Sequence, residues 1–284
     1  MADGYNAQIL WVDLTEGRTE VREPGEEVMR KYIGGAGLAA KILWEETSTD
    51  TEPFASENPL IFMTGPLTGV AQQSSRHIVA GISPLTNIWG RAHSGGNWAD
   101  KLRRSGFMGI VIKGKARKPV YLRLYNGEAE ICDASSLWGM DTYEVEELLR
   151  RETDGKVSVA AIGRAGEKLV RFAAIMNDGK KGRAAARCGL GALMGSKKLK
   201  AIVVGGNQEI PVFDRARLKE CTKKIYHSCP RKKLTDVIEV YVQEIKIAFR
   251  TGGVPVKKMR GGALDPSEKI ADIHRGSSVG FFSL

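Results

Sequence analysis

The segment Cys188-Gly189-Leu190-Gly191, followed by a predicted helix over Leu193 to Lys198 and by the apolar run Ala201 to Gly205, decides the fold. Its three parts are a glycine-bearing loop, a basic helix and an apolar strand that closes on glycine. The same three parts occur earlier in the chain, in the same order, at Ser94-Gly95-Gly96, at Asp100 to Arg104 and at Ile110 to Gly114. A pattern that occurs twice indicates an internal repeat. We therefore expect two structurally related halves.

Outward from these segments, each half is predicted to begin with a β-hairpin. The two hairpins have their turns at Thr15-Glu16-Gly17-Arg18 and at Tyr125-Asn126-Gly127-Glu128, with short alternating strands on either side. Hydrophobic periodicity and glycine-containing ends predict helices over 25–32, 38–46 and 142–151, and strands over 60–63, 76–81 and 157–162. The sequence alone therefore predicts an α+β protein with two β-sheets.

The character of the chain changes beyond Gly206. Helical patterns cover Phe213 to Tyr226 and Leu234 to Phe249, and the chain then turns irregular and basic up to Leu284. We expect two regions: a repeat domain over residues 1–206, and an incomplete beginning of a helical domain over residues 207–284.

Charge points to an anionic ligand. The chain has 43 Lys+Arg against 33 Asp+Glu, a net charge of +10, which fits either nucleic acid or a phosphate-bearing cofactor. The tightest basic clusters, Lys180 to Arg187 and Lys197 to Lys200, flank small residues instead of aromatic ones. That composition favours phosphate binding over base stacking and disfavours a nucleic-acid partner.

The expected cellular location follows from two features that we do not find in the sequence, a membrane-spanning helix and a secretory signal. Apolar stretches such as Leu60 to Met63 are far shorter than the roughly 20 residues that a membrane helix needs. The N-terminus has neither the basic start nor the apolar stretch of a secretory signal. We expect a cytoplasmic protein without a membrane partner.

Each glycine-bearing loop precedes a predicted helix, where free backbone N–H groups favour a phosphate. Arg76, Arg183 and Arg187 would add charge-assisted contacts. The sharper interpretation is two similar anion sites; the alternative, a structural repeat without any ligand, stays open on pattern alone.

Several common motifs are excluded. The dinucleotide loop lacks its third glycine after Gly189-x-Gly191, and Gly195-Ser196-Lys197 has the wrong order for a P-loop. Neither the four histidines nor the four cysteines have metal-site spacing, although His93 stands out beside Ser94-Gly95-Gly96. The cysteines are expected to be reduced and buried.

A longer series of ordered motifs carries a family resemblance. These motifs are Gly65-Pro66-Leu67-Thr68-Gly69, Arg76, Ser83-Pro84-Leu85-Thr86, Ser94-Gly95-Gly96, Gly114-Lys115-Ala116, Trp138-Gly139, Ala173 to Gly179 and Gly191 to Ile202. They resemble the N-terminal domain of the tungsten-containing aldehyde ferredoxin oxidoreductases, over nearly all of residues 1–206. The chain departs from the usual family pattern at His93, where asparagine is common, and at Ala186 and Cys188, where glycine is often found.

The resemblance implies two β-sheets related by a pseudo-two-fold axis, which form the base for a tungsten-bis-pterin cofactor (tungstopterin). Arg76 and the loop Ser94, Gly95 and Gly96 would hold one pterin. The second pterin would be held by Arg183, Arg187 and the nearby backbone of Ala184 and Gly189. A magnesium ion that bridges the pterin phosphates would be bound by the backbone carbonyls of His93 and Ala184.

The resemblance also implies a reaction, the oxidation of an aldehyde to a carboxylic acid. Electrons would pass through a 4Fe-4S cluster to ferredoxin. The cluster cysteines and the catalytic acid and histidine of the family lie outside this sequence, so we expect the chain to supply the cofactor base only, and to be inactive alone. A second chain could carry the remaining parts.

The alternatives are a non-catalytic carrier of the pterin cofactor, an inactive truncated fragment, or another tungsten oxidoreductase that acts on hydroxycarboxylates or reduces aromatic rings. Tungsten and molybdenum are not distinguished by the sequence.

Overall fold

The computed structural model describes residues 7–71, 74–153, 156–179 and 182–228. The first half contains β1 (Ile9–Asp13), β2 (Arg18–Arg22), α1 (Glu26–Tyr32), α2 (Gly35–Glu46), β3 (Leu60–Thr64), β4 (His77–Ile82), β5 (Trp89–Ser94), α3 (Trp98–Arg104) and β6 (Gly109–Lys113). The second half contains β7 (Val120–Tyr125), β8 (Glu128–Asp133), α4 (Thr142–Arg151), β9 (Ser158–Ala161), α5 (Arg164–Glu167), β10 (Ile175–Asn177), β11 (Arg183–Ala185), α6 (Leu190–Ser196) and β12 (Leu199–Gly205). A 3-10 turn at Ser135–Leu137 precedes α4, and α7 (Arg215–Ser228) follows the repeat.

The two halves have the same sheet topology. The first six-stranded sheet has the order β2-β1-β6-β3-β4-β5, and the second has the order β8-β7-β12-β9-β10-β11. The parallel pair is β1 with β6 in the first sheet and β7 with β12 in the second, and the other neighbouring pairs are antiparallel. Strand for strand, the second sheet repeats the first. The predicted α+β fold with an internal repeat of two sheets is therefore confirmed.

Local sequence explains where the elements turn and begin. Asn126 (φ 50°) and Gly127 (φ 92°) lie between β7 and β8, and both adopt the left-handed conformation that a tight two-residue hairpin needs. Helix α4 begins at a capping box, in which the Asp141 side chain accepts from backbone N–H groups and Glu144 accepts from the N–H of Asp141.

The two sheets face each other across one shared core. Alternate residues of β3 illustrate the layers: Phe62 points into the shared core, whereas Ile61 and Met63 pack under α1 and α2 on the opposite face. In the second sheet, Ile202 belongs to the shared core and Val203 packs under α4. Helices thus cover both outer faces.

Helices α3 and α6 lie in the shared core and cross between the halves. Helix α3 contacts β9 and β12 of the second sheet, and α6 contacts β3 and β4 of the first. Trp98 of α3 is fully buried and donates its indole N–H to the carbonyl of Ile202 at 3.2 Å. Each half therefore contributes a helix to the other half's sheet.

Some expectations need correction. Strands β5, β10 and β11 and helix α5 were not predicted, α2 begins at Gly35 instead of Leu38, and α6 begins at Leu190 instead of Leu193. The cysteines are less buried than expected, since Cys132 and Cys188 are half-buried and Cys221 is exposed. The predicted helix over 234–249 and Cys229 lie outside the described residues. In the ranges that the structure describes, no helix is long and apolar enough to span a membrane.

Candidate functional site

The two sheets meet along their outermost strands, β5 and β11. Along β5 the exposure alternates, so Arg91 and His93 lie on one exposed face while Ala92 and Ser94 are buried. Arg183 of β11 and Arg187 beyond it are also exposed. We call the exposed residues Arg76, Arg91, His93, Arg183 and Arg187 the arginine face. Arg91 was missed by the sequence analysis.

The first predicted loop, Ser94-Gly95-Gly96, is fastened by the second half. The Ser94 hydroxyl donates to Oδ1 of Asn177 at 2.5 Å, and Nδ2 of Asn177 donates to the carbonyl of Gly95 at 3.0 Å. One residue on, the backbone N–H of Asn97 donates to Oδ2 of Asp178 at 2.6 Å. The donor at the start of α3 is therefore used by a protein carboxylate.

Arg183 reaches the same loop. Gly96 has a φ of 90°, and a Cβ atom built there would lie 3.1 Å from Cγ of Arg183. Arg183 pairs in register with Asn177, and Ala184 with Met176, across the β10–β11 ladder. The structure thus brings Arg183 and Ala184, which were predicted to hold the second pterin, to the strand beside His93 and the first loop, which were predicted to serve the first pterin and the magnesium ion.

The second predicted loop packs against the first half. The Ser83 hydroxyl donates to the carbonyl of Cys188 at 2.8 Å, and Cys188 Sγ lies 3.7 Å from the carbonyl of Arg91. A Cβ on Gly189 would lie only 1.8 Å from the carbonyl oxygen of Arg171, so no other residue fits there without a shift. Cys188 itself adopts a left-handed conformation (φ 65°), which explains why glycine suits this position.

The two histidines near the first loop are uncharged near neutral pH. Desolvation, together with the charges of Arg91 and Arg76, lowers the pKa of His93. Burial lowers the pKa of His77 to about 3, with a smaller contribution from His93. The positive charge of the arginine face therefore comes from its guanidinium groups.

His77 lies directly beneath the first loop. It pairs with Ser94 across the β4–β5 ladder, and only 2% of its surface is exposed. Its ring packs against Trp98, at a centroid distance of 4.6 Å, and Phe62, at 6.3 Å, and those two rings contact each other at 5.4 Å. Its Nδ1 has no hydrogen-bond partner among the residues that the structure describes. The imidazole is packed in an aromatic cluster with Phe62 and Trp98.

A groove of about 530 Å³ lies away from the arginine face, along the β1–β2 hairpin. Four of the six charged side chains that line it form two ion pairs, Lys113 with Glu46 at 2.8 Å and Arg22 with Glu20 at 2.8 Å. The Arg22 guanidinium also stacks 4.2 Å from the centre of the Trp11 ring. The arginine face, whose cations stand beside an open glycine loop, is the better candidate for an anionic ligand.

The donor set of the arginine face fits phosphate groups. Guanidinium groups bind phosphate through paired charge-assisted hydrogen bonds. Among the described residues, no hydrogen bond uses the N–H of Gly95 or Gly96, and Gly95 has open space where a side chain would be. The described residues contain no group of three or more His, Cys, Asp or Glu side chains placed to bind a metal ion.

Comparisons with known proteins show which family the chain is similar to. The family profile "Aldehyde ferredoxin oxidoreductase, N-terminal domain" matches residues 9–206. The tungsten-containing aldehyde ferredoxin oxidoreductase of Pyrococcus abyssi is 44% identical over 223 residues, which are 78% of this chain and 36% of that protein. The "Aliphatic sulfonate oxidoreductase, WOR-like subunit" of Pyrococcus furiosus is 36% identical over 239 residues, which are 78% of this chain and 38% of that protein.

A solved structure shares the fold. The active-site complex BamBC of benzoyl coenzyme A reductase, solved with 1,5-dienoyl-CoA, matches with a TM-score of 0.71 and 40% identity over 74% of this chain and 32% of that one. The chain spans little more than a third of the length of the curated relatives named above. From the matched profile and these identities, the chain belongs to the aldehyde ferredoxin oxidoreductase family and carries its N-terminal domain.

Proposed function

We propose that this chain is the cofactor-holding base of a tungsten-containing oxidoreductase, and that the arginine face binds the phosphates of a tungsten-bis-pterin cofactor. The observation that carries the proposal is the meeting of two exposed, arginine-bearing edge strands, β5 and β11, beside an open glycine loop. A relative at 44% identity is named as tungsten-containing, which supports the choice of cofactor.

Individual residues receive the following roles in this proposal. Arg76 and the backbone of Ser94, Gly95 and Gly96 hold one pterin; Arg183 and Arg187, with the backbone at Ala184 and Gly189, hold the other. The carbonyls of His93 and Ala184 bind a magnesium ion between the phosphates. The bound cofactor supplies the redox chemistry, and the chain anchors it.

The remaining parts of the reaction belong to the complete protein. We propose aldehyde oxidation to a carboxylic acid, with electrons leaving through a 4Fe-4S cluster to ferredoxin, because that acceptor stands in the name of the relative at 44% identity. The cluster and the catalytic groups come from the portion of the relatives that this chain does not span, in the same polypeptide or in a second chain. We further propose a domain boundary between residues 206 and 207 and a cytoplasmic location.

A second candidate is another tungsten oxidoreductase with a different substrate. The sulfonate oxidoreductase subunit and the benzoyl coenzyme A reductase complex both cover about three quarters of this chain at 36–40% identity. The arginine face would serve any of these enzymes equally, since it contacts the cofactor and not the substrate. A non-catalytic pterin carrier is distinguished by tight cofactor binding without turnover.

The test is metal analysis of the protein purified from its native source with whatever co-elutes. We expect tungsten or molybdenum together with pterin, and iron when a polypeptide with the cluster is present. Arg76→Gln and Arg187→Gln should each lower the retained pterin metal about tenfold or more, because each removes a charge-assisted bond. Arg22→Gln, on the distant hairpin, is the matched control and should retain it. Equal metal content in all variants would disprove the assignment of the arginine face.

A further inference from the structure

The loop that presents Gly95 and Gly96 to the arginine face belongs to the first half, but its side-chain hydrogen bonds come from the second. Asn177 bonds to Ser94 and to Gly95, and Asp178 bonds to Asn97. These partners are separated by more than 80 positions in sequence. The loop therefore depends on a contact between the two halves.

We infer that Asn177 and Asp178 are positioning residues, which hold the Ser94–Asn97 loop in the conformation that binds an anion. The inference rests on the proposed function as far as the anion is concerned. Its structural part, that the loop is ordered by the second half, is independent of any ligand.

Asn177 uses its whole amide group on the loop. It is 2% exposed, its oxygen accepts from the Ser94 hydroxyl, and its nitrogen donates to the Gly95 carbonyl. A buried amide that bonds with both ends fixes a side-chain hydroxyl and a backbone carbonyl of the loop at once, and an aliphatic replacement leaves those partners unsatisfied. Among the described residues, the side-chain amide of Asn177 forms hydrogen bonds only to this loop.

Asp178 contributes both a hydrogen-bond acceptor that holds the loop and a negative charge. Its Oδ2 accepts from the N–H of Asn97, and the same oxygen fills the space where a Gly96 side chain would lie. The carboxylate therefore fixes the loop but also adds a negative charge beside the proposed anion site. A neutral acceptor of the same shape separates these two effects.

The hairpin that carries these residues also carries Arg183. Asn177 and Arg183 are a register pair between β10 and β11, and the N–H of Gly182 donates to the carbonyl of Gly179 at 2.8 Å. Anchoring Asp178 to the first loop thus also positions Arg183 next to Gly96. One hairpin sets the geometry of cation and loop together.

Asn58 offers a matched control. It too is a fully buried asparagine that bonds with both ends of its amide, to Pro53 and to Ile82. Ile82 lies at the end of β4 opposite to His77, about 17 Å from the loop by strand rise. Asn58→Ala should lower stability as Asn177→Ala does, without touching the arginine face.

The first measurement is hydrogen exchange of the Asn97 amide, which donates to Asp178, in the full chain without ligand. Asp178→Ala should speed exchange at this amide about tenfold or more because it removes the acceptor, and Asn177→Ala should do so because it frees the adjoining Ser94 and Gly95. Asp178→Asn, which keeps an acceptor oxygen, and Asn58→Ala should leave it near the unmodified rate. Ser94→Ala removes one bond from the loop side and replaces Asn177→Ala if that variant does not fold. Unchanged exchange in Asn177→Ala, or in Ser94→Ala in its place, and in Asp178→Ala would overturn the inference.

The second measurement is the affinity for inorganic pyrophosphate by calorimetry at low ionic strength. Asn177→Ala should weaken binding about tenfold, and Asn58→Ala should not. Asp178→Asn should tighten it at least about twofold, because a negative charge is removed. Faster exchange with unchanged affinity would show that the loop does not serve anion binding and would overturn that part. No pyrophosphate binding by the unmodified chain would count against the proposed function, while the exchange rates still decide the structural part.

Discussion

A Cβ atom on Gly96 would lie 1.6 Å from Oδ2 of Asp178, which is far too close for two atoms that are not bonded to each other. Gly96 also has a φ of 90°, which side-chain-bearing residues avoid. Gly96→Ala should therefore lower the free energy of unfolding by about 2–4 kcal/mol. Gly95→Ala is the control, since it meets nothing within 4 Å, and its change should stay within about 1 kcal/mol. Urea unfolding of both variants tests the difference, and equal losses would contradict the crowded geometry.

The ion pair between Lys200 and Glu167 is buried, with side-chain exposures of 0% and 6%. Lys200 also donates to the carbonyl of Met140 at 2.8 Å. Lys200→Met leaves an unpaired buried carboxylate and should cost about 3–5 kcal/mol in denaturant unfolding. Adding Glu167→Leu should recover part of that loss.

The exposed pair between Arg22 and Glu20 is the comparison for this prediction. Glu20→Gln should change stability by no more than about 1 kcal/mol, because exposed ion pairs contribute little. If Lys200→Met cost no more than Glu20→Gln, the buried pair would be structurally unimportant.

His77 should make the fold sensitive to acid. Its pKa is about 3 in the folded protein, well below the ordinary 6.5, because burial disfavours the charged ring. Between these values the unfolded chain binds a proton that the folded chain does not, so stability falls as pH decreases from about 6.5 toward 3. The slope contributed by this one group is at most about 1.4 kcal/mol per pH unit.

His77→Phe keeps a ring packed against Phe62 and Trp98 and should remove that slope. His93→Asn, on the exposed face, should leave most of it. The measurement is the difference in unfolding free energy between each variant and the unmodified chain across this pH range. A His77→Phe variant with the original slope would refute the assignment.

Lys197 should make the stability of the fold depend on pH above neutrality. It is 1% exposed, donates to the carbonyls of Ser56 and Gly114, and burial lowers its pKa from 10.5 to about 7. Above pH 7 the folded chain has lost a proton that the unfolded chain keeps, so stability should rise with pH between about 7 and 10. Lys197→Met should flatten that rise, whereas Lys198→Met, at the half-buried neighbouring position, should retain it. Thermal melting at several pH values gives the comparison.

Elements with strong local signals were predictable, and the missed ones have identifiable causes. The hairpin at Asn126-Gly127 and helix α4 carry turn and capping residues. Strand β5 lacks an apolar run, because exposed Arg91 and His93 alternate with small buried residues. A Cβ on Gly90 would lie 2.9 Å from Cβ of Ser83 and 3.1 Å from Cβ of Cys188, so a long-range contact selects glycine there. Strands β10 and β11 have three residues each, too few to show a period.

The candidate site also contains residues that could be predicted from the sequence and residues that could not. Glycine-bearing loops and arginines can be recognised one at a time, which is how Ser94, Gly95, Gly96 and Arg76 were predicted. The roles of Asn177 and Asp178 are properties of a pairing between distant segments, which composition and spacing do not encode. In the sequence, Asn177 and Asp178 stood out only as part of the motif Ala173 to Gly179.

The exchange of α3 and α6 between the sheets has a consequence for assembly. Each sheet needs a helix that the other half provides, so an isolated half would expose the apolar face on which that helix packs. Residues 114–119 tether the halves, and their encounter is therefore set by a fixed effective concentration instead of by the amount of protein in solution. Two copies of a single half would have to find each other at every folding event; covalent fusion makes their union unimolecular, and the pair should melt in one cooperative step.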